Sequence, residues 1–312
     1  LAIACGVTAL PAIAQTYPDK PVRFVVPYAA GGNTDVLARL IGQRLSEKLG
    51  QPVVVDNRPA IDGVAGIAVV ARAAPDGYTL LMVSSSHAIN TAMGMKLPYD
   101  ALNDLAPITQ TASQQLILTV HPSVPAKTVK ELVSHAKASQ AGLNYGTSSS
   151  ATQLATELFN LLAGIKMVHI PYKGAAPMMN DLLGGQIGVS FSPSVISLPH
   201  VKSGKIRALA IGDAKRSAFM PELPTVAEAG VPGYQAAIWT GMLAPAKTPR
   251  AIIERLNAEV VRIVRSPELT ERLVQLGSDT VGSTPAQFDQ FVRDEIVKWS
   301  AIAKKVGLRT EN

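Results

Sequence analysis

The segment 27–35, reading PYAAGGNTD, restricts the possible folds more than any other part of the chain. An apolar run (Val22, Phe24, Val25, Val26) enters it, and an amphipathic run (Val36, Leu37, Leu40, Ile41, Leu45, Leu49) leaves it. The pattern predicts a strand, a tight Gly-Gly turn and a helix that starts near Asn33 or Thr34. Both are good N-caps, and Asp35 favours the first turn. Such a turn points free backbone N–H groups outward at the positive end of a helix. It then holds an anion without a charged side chain or, as many such turns do, holds nothing.

Units of this kind recur along the chain. Val53-Val54-Val55 reads as a second strand, and the glycine-marked segment 62–66 starts a helix running to about Ala74. After the turn Pro75-Asp76-Gly77, a third strand spans 79–83 and ends in Ser84-Ser85-Ser86-His87. Hydroxyls at strand ends fit the rule that open α/β sheets bind ligands beyond the carboxyl ends of their strands. Residues 115–120 read as a strand, and the chain is expected to cross into a second domain near there. Thr128 with Glu131 marks the start of a helix to Ser139. A short strand at 143–145 opens onto Gly146-Thr147-Ser148-Ser149-Ser150-Ala151-Thr152-Gln153. The next helix directs Leu154, Leu158, Leu161 and Leu162 inward. This second hydroxyl-rich helix start accepts a carboxylate or phosphate, or is a plain N-cap with spare serines. Further strands are expected at 167–172, 187–191, 206–211 and 237–243, and a small helix at 225–229. Three proline-started helices follow at 249–265, 267–276 and 285–306, with a short strand near 280–281. The expected division is 15–115 with 238–312 for one domain and 116–237 for the other.

The chain has 312 residues, enough for two domains each with its own core. Its net charge of +6 is scattered and aromatics are only 5%, so nucleic acid is not an expected partner. Residues 1–10 are apolar and uncharged, and Ala12 with Ala14 forms the A-x-A pattern of a secretory cleavage site, with the cut after Ala14. The charged start of a signal peptide is missing, so the sequence is expected to begin inside one, with 1–14 as a leader for export. This segment is shorter than the ~20 residues of a spanning helix. The single cysteine, Cys5, lies within it. As a lipid-attachment site it lacks the usual preceding leucine, and the A-x-A pattern is the better match. The mature chain is then expected to carry no disulfide, thiol nucleophile or Cys-zinc site.

The segments YPDKPVRFVVPYAAGGNTD (17–35), VVVDNRP (53–59), PDGYTLLM (75–82), HIPYKGAAPMMNDLLGGQI (169–187), GKIRALAI (204–211), PELPTVAEAGVPGY (221–234) and WTGMLAPAKTP (239–249) stand in the order of a known family. The chain resembles the Bug-type, or TctC-like, solute-binding proteins of tripartite tricarboxylate transporters over nearly its whole mature length. The resemblance implies an α/β, two-domain type II periplasmic binding protein (a Venus flytrap) with the ligand cleft between its domains. It also implies hinge closure on a small carboxylated solute and delivery to the transporter's membrane subunits. The site residues expected on this basis are Tyr28, Ala29, Ala30, Gly31, Gly32, Asn33 and Asp35 in the first loop, with Ser84 and Ser85 after the third strand. The second loop adds Thr147, Ser148, Ser149, Thr152 and Gln153; Tyr172 and Ser192 end later strands. Two positions depart from the family pattern: Gln153 stands where a histidine is usual, and Ser192 where an acidic residue is more common. The latter implies a ligand without positive charge, such as a dicarboxylate or an aromatic carboxylate.

An enzyme is not expected. The five histidines lack metal-ligand spacing, no G-x-S-x-G surrounds Ser148, and no P-loop or G-x-G-x-x-G is present. His169 reads as packed or hydrogen-bonded, not catalytic. No catalytic residue, metal or cofactor is expected, and the protein is expected to be a monomer. The second reading is an extracytoplasmic sensor feeding a two-component system, which no residue separates from the transport reading.

Overall fold

The computed structural model describes residues 17–308 except 140–141, 218 and 276. The expected leader and Cys5 lie outside the described residues. In chain order the elements are β1 (Val22–Val26), α1 (Asn33–Leu49), β2 (Val53–Asn57), α2 (Val64–Ala71), β3 (Thr79–Ser84), α3 (Ser86–Ala92), β4 (Leu105–Val120), α4 (Val129–Ala138), β5 (Asn144–Thr147), α5 (Ser150–Ala163), β6 (Val168–Pro171), α6 (Ala175–Leu183), β7 (Val189–Pro193), α7 (Ser194–Lys202), β8 (Arg207–Ile211), β9 (Ala237–Pro245), α8 (Arg250–Val264), α9 (Pro267–Gln275), β10 (Ser278–Thr280) and α10 (Pro285–Lys305). A 3-10 turn, Ile61–Gly63, precedes α2.

Two sheets share β4. In the first, β2 and β3 flank β1 in parallel, β3 pairs antiparallel with β9, and β9 and β10 pair with β4 as far as Gln115. In the second, β5 runs parallel to β6 and β7, while β7 and β8 pair antiparallel with β4 from Leu116 onward. The strand β4 therefore changes sheets between Gln115 and Leu116. The returning chain crosses beside it: the Gly212 N–H donates to the Leu116 carbonyl at 2.7 Å, and the Ala236 N–H to the Gly212 carbonyl at 2.8 Å. A Cβ on Gly212 would lie 2.8 Å from the Ala236 oxygen, so a side chain there would block this approach. Each sheet with its helices forms one lobe.

Most of the local pattern reads through to structure, because apolar runs flanked by Gly and Pro form buried strands and 3.6-period stripes form covering helices. Four places differ. β4 begins at Leu105, well before the expected strand, because its polar first part is buried in the sheet by pairing with β9 and β10. α3 was not expected; its sequence SHAINTA lacks an amphipathic stripe and is held by burial against α10 and α5. Residues 225–229 form turns, tied down by a bridge from Thr225 to Ile211 and by Glu228 accepting from the Thr225 N–H at 2.9 Å. α1 is capped by Gly32, with no side-chain cap from Asn33 or Thr34.

The lobes also share apolar packing. Ile89 and Ala92 of α3 and Trp299 and Ala303 of α10 belong to the same buried cluster as Leu154, Ala155 and Leu158 of α5. No described helix is long and apolar enough to cross a membrane.

Candidate ligand-binding cleft

The strand β1 delivers Tyr28 to the gap between the lobes. Its hydroxyl is a hub: it accepts from the Ser84 N–H at 3.1 Å and the Ser84 Oγ at 2.9 Å, and it lies 2.8 Å from the Ser86 Oγ. This ties the end of β1 to the end of β3. Burial raises the Tyr28 pKa above that of a free phenol, against the hydrogen bonds from Ser84 and Ser86, so the hub stays neutral.

The Gly-Gly turn that follows is partly occupied by the chain itself. The Gly31 N–H donates to Asp35 Oδ2 at 2.8 Å, and Asn57 Nδ2 and Arg39 Nε add bonds of 2.9 and 3.1 Å to the same carboxylate. Burial works against this charge, but the bonds from Arg39, Gly31 and Asn57 outweigh it and hold the Asp35 pKa below the usual range. Asp35 thus fills the anion position of its own helix end, a use of the positive terminus that needs no ligand. Tyr28 and Ala29 line the main cleft, whereas Gly31, Gly32 and Asn33 line a side hollow of about 260 Å³ shared with Gln114, Pro193 and Ile196. Ala30 is exposed and lines neither.

Across the gap, β5 runs into the N-terminus of α5. Thr152 is fully buried, and its Oγ1 accepts from the Ser148 and Ser149 N–H groups at 3.0 and 3.1 Å. Ser149 is the N-cap, in a reciprocal box with Thr152. Thr152 shapes the loop from behind while Thr147, Ser148, Ser149 and Gln153 line the cleft. Tyr172 lines it with its ring and turns its hydroxyl to Asp181 Oδ2 at 2.6 Å. Ser192 is fully buried inside the second sheet, 3.2 Å from the Thr119 Oγ1, and is absent from the cleft lining.

The cleft has a volume of about 780 Å³, within the range of small-molecule sites. It brings in residues that the sequence reading did not select: Asp62, Ser86, Ser150, His169, Lys173 and Ile238. The imidazole of His169 lies 2.7 Å from the Thr147 Oγ1 and 3.4 Å from the Gln153 Nε2. Burial lowers its pKa, with Glu157 opposing. Gln153 donating to Nδ1 leaves the Nε2–H for Thr147, so the Thr147 hydroxyl proton is free to point into the cleft. Among the described lining residues Lys173 is the only lysine or arginine and Asp62 the only carboxylate. No described group of three His, Asp or Glu could hold a metal ion. Asp62, Ser86, Ser150 and Lys173 follow β2, β3, β5 and β6, so the strand-end rule that pointed to Ser84 would also have found them; His169 lies within β6 and Ile238 at the start of β9, where that rule gives no signal.

A family model described as the tripartite tricarboxylate transporter family receptor matches residues 37–308. The chain belongs to that receptor family. Protein BugT of Bordetella pertussis is 37% identical over 311 residues, covering 98% of this chain and 95% of that protein. Among solved structures, Rpa4515 of R. palustris with adipate superposes with a TM-score of 0.86 at 37% identity, covering 93% of this chain and 98% of that one. MatC from Rhodopseudomonas palustris with bound malate gives 0.82 at 31% identity, covering 92% and 99%. The receptor therefore has the two-lobed type II periplasmic-binding-protein fold, with its cleft between the lobes, and is a solute-binding protein.

Proposed function

We propose that this receptor captures a small carboxylated solute (a dicarboxylate, tricarboxylate or aromatic carboxylate) in the periplasm and delivers it to the membrane subunits of a tripartite tricarboxylate-type transporter. The observation that carries this reading is the pair of facing strand-to-helix loops. Tyr28, Ala29 and the serines after β3 stand on one lobe, and Thr147 to Ser150 stand on the other, around one cleft. Adipate in Rpa4515 and malate in MatC support a carboxylate as the class. Charge-assisted hydrogen bonds contribute ~1.5–3 kcal/mol each. Four or five of them support a net ~8 kcal/mol, or micromolar binding, after association costs.

Both lobes contribute donors, so a bound anion stabilises the closed arrangement over the open one, and closure follows from that difference in affinity. We take the hinge to lie where β4 changes sheets after Gln115 and where the chain returns at the start of β9, at Ala237. These crossings support a division into 15–115 with 238–312 and 116–237.

A thermal-shift screen of the full chain against di- and tricarboxylates, aromatic acids, amino acids and sugars tests the ligand class. A carboxylate at ~100 times its Kd is expected to raise Tm by roughly 5 °C or more. Stabilisation by sugars alone would overturn the assignment.

A further inference from the structure

Asp62 is the only described residue other than glycine with positive φ, at φ 48° and ψ 22°. That left-handed conformation is uncommon for residues with a Cβ, though Asp adopts it more readily than most, and such positions gather at functional sites. The turn is held in place: the Asp62 carbonyl accepts from Asn90 Nδ2 at 3.1 Å, and Gly63 next to it packs on Tyr28 and Pro27. The side chain stands in the cleft on the first lobe and reaches across to the N-terminal turn of α5 on the second. There the Ser150 amide and hydroxyl bear on the carboxyl, while burial raises its pKa. The Ser150 Oγ is nine-tenths buried and forms no hydrogen bond of good geometry, and the same holds for the Ser85 Oγ across the cleft.

A solute carboxylate drawn to the first turn of α5 therefore arrives beside a fixed carboxylate. Two like charges at one helix end repel unless a donor lies between them. A solute with a hydroxyl or ammonium on the carbon next to its carboxylate meets this condition. Its carboxylate takes the α5 amides and the Ser150 hydroxyl, and its donor takes Asp62. Ser192, buried in the sheet, has no part in this choice. Resting on the carboxylate reading above, we infer that Asp62 is a specificity-determining residue that selects carboxylates bearing an adjacent hydrogen-bond donor, hydroxyl or ammonium, over donor-free ones.

Isothermal titration of the full chain with matched series tests this: succinate, malate and aspartate; glutarate, 2-hydroxyglutarate and glutamate; 3-phenylpropionate, 3-phenyllactate and phenylalanine. In a series that binds, a donor-bearing member is expected to bind at least about tenfold more tightly than its parent, the scale of one charge-assisted hydrogen bond. Asp62→Gly removes the acceptor, suits the positive φ and is expected to fold; it should bring the ratio to about one. Asp62→Asn separates the donors, keeping part of a hydroxyl preference and losing an ammonium preference. Equal or tighter binding of the donor-free parent to the wild type, or a preference that survives in Asp62→Gly, overturns the inference and leaves the carboxylate reading standing. No binding of any of the nine to wild type or Asp62→Gly counts against both.

Discussion

At the scale of single residues, burial decides which polar groups open onto the cleft and which are spent inside the fold. Asp35, read from the sequence as part of a binding loop, has its carboxylate enclosed by Gly31, Asn57 and Arg39. His87 is fully buried, its ring nitrogens form no hydrogen bond of good geometry, and it stacks on Tyr99 with centroids 6.3 Å apart. Burial pushes its pKa down from 6.5 to about 4, with the Ala101 backbone opposing. Below pH 6.5 the unfolded chain binds a proton that the native state refuses, so stability falls as pH drops and levels off below about 4. The loss across that window is on the order of 2–3 kcal/mol. His87→Leu is expected to remove this slope; urea unfolding midpoints between pH 4 and 7 check it, and an unchanged slope would place the effect on another group.

At the scale of elements, the two loops share a plan but differ in how they are held. The first has a glycine N-cap and uses a carboxylate from its own helix. The second has a Ser149 cap boxed with Thr152. Its approach depends on Gly146 in β5, where a Cβ would lie 2.3 Å from Ile187 Cδ1 and 3.0 Å from Met178 Cγ. Gly146→Ala is expected to push these side chains off their rotamers and cost roughly 1–3 kcal/mol. It should also weaken ligand binding more than Gly32→Ala, whose Cβ meets only the Ala29 oxygen at 3.4 Å. Equal affinities in the two variants would show that the second loop's position does not govern the cleft. These strand and helix positions were largely legible, because each needs only a local apolar period and a cap. α3 and the first part of β4 were not, since their polar residues are tolerated only under neighbours distant in sequence.

At the scale of the molecule, the C-terminal helix ties the lobes' shared core to the returning strand. Glu295 is buried, and its Oε2 accepts from Trp239 Nε1 of β9 at 3.1 Å and from Trp299 Nε1 at 2.9 Å. Trp299 packs in the cluster that also contains α5. Glu295→Ala leaves two buried indole donors without a partner, at a cost of roughly 2–4 kcal/mol. Chemical unfolding should show the lower midpoint with an unchanged m-value; a shift of less than about 0.5 kcal/mol would mean that the indoles find other acceptors.

The sequence by itself determined the α/β alternation, the two glycine- and serine-marked helix starts and the family, because all three depend on residue order alone. Only the tertiary structure decided which polar residues face the cleft. It filled the first turn with Asp35, buried Ser192 in a sheet and set Asp62 against α5 from the opposite lobe. These outcomes depend on contacts between segments far apart in the chain, and there burial and charge are set by what lies opposite a residue.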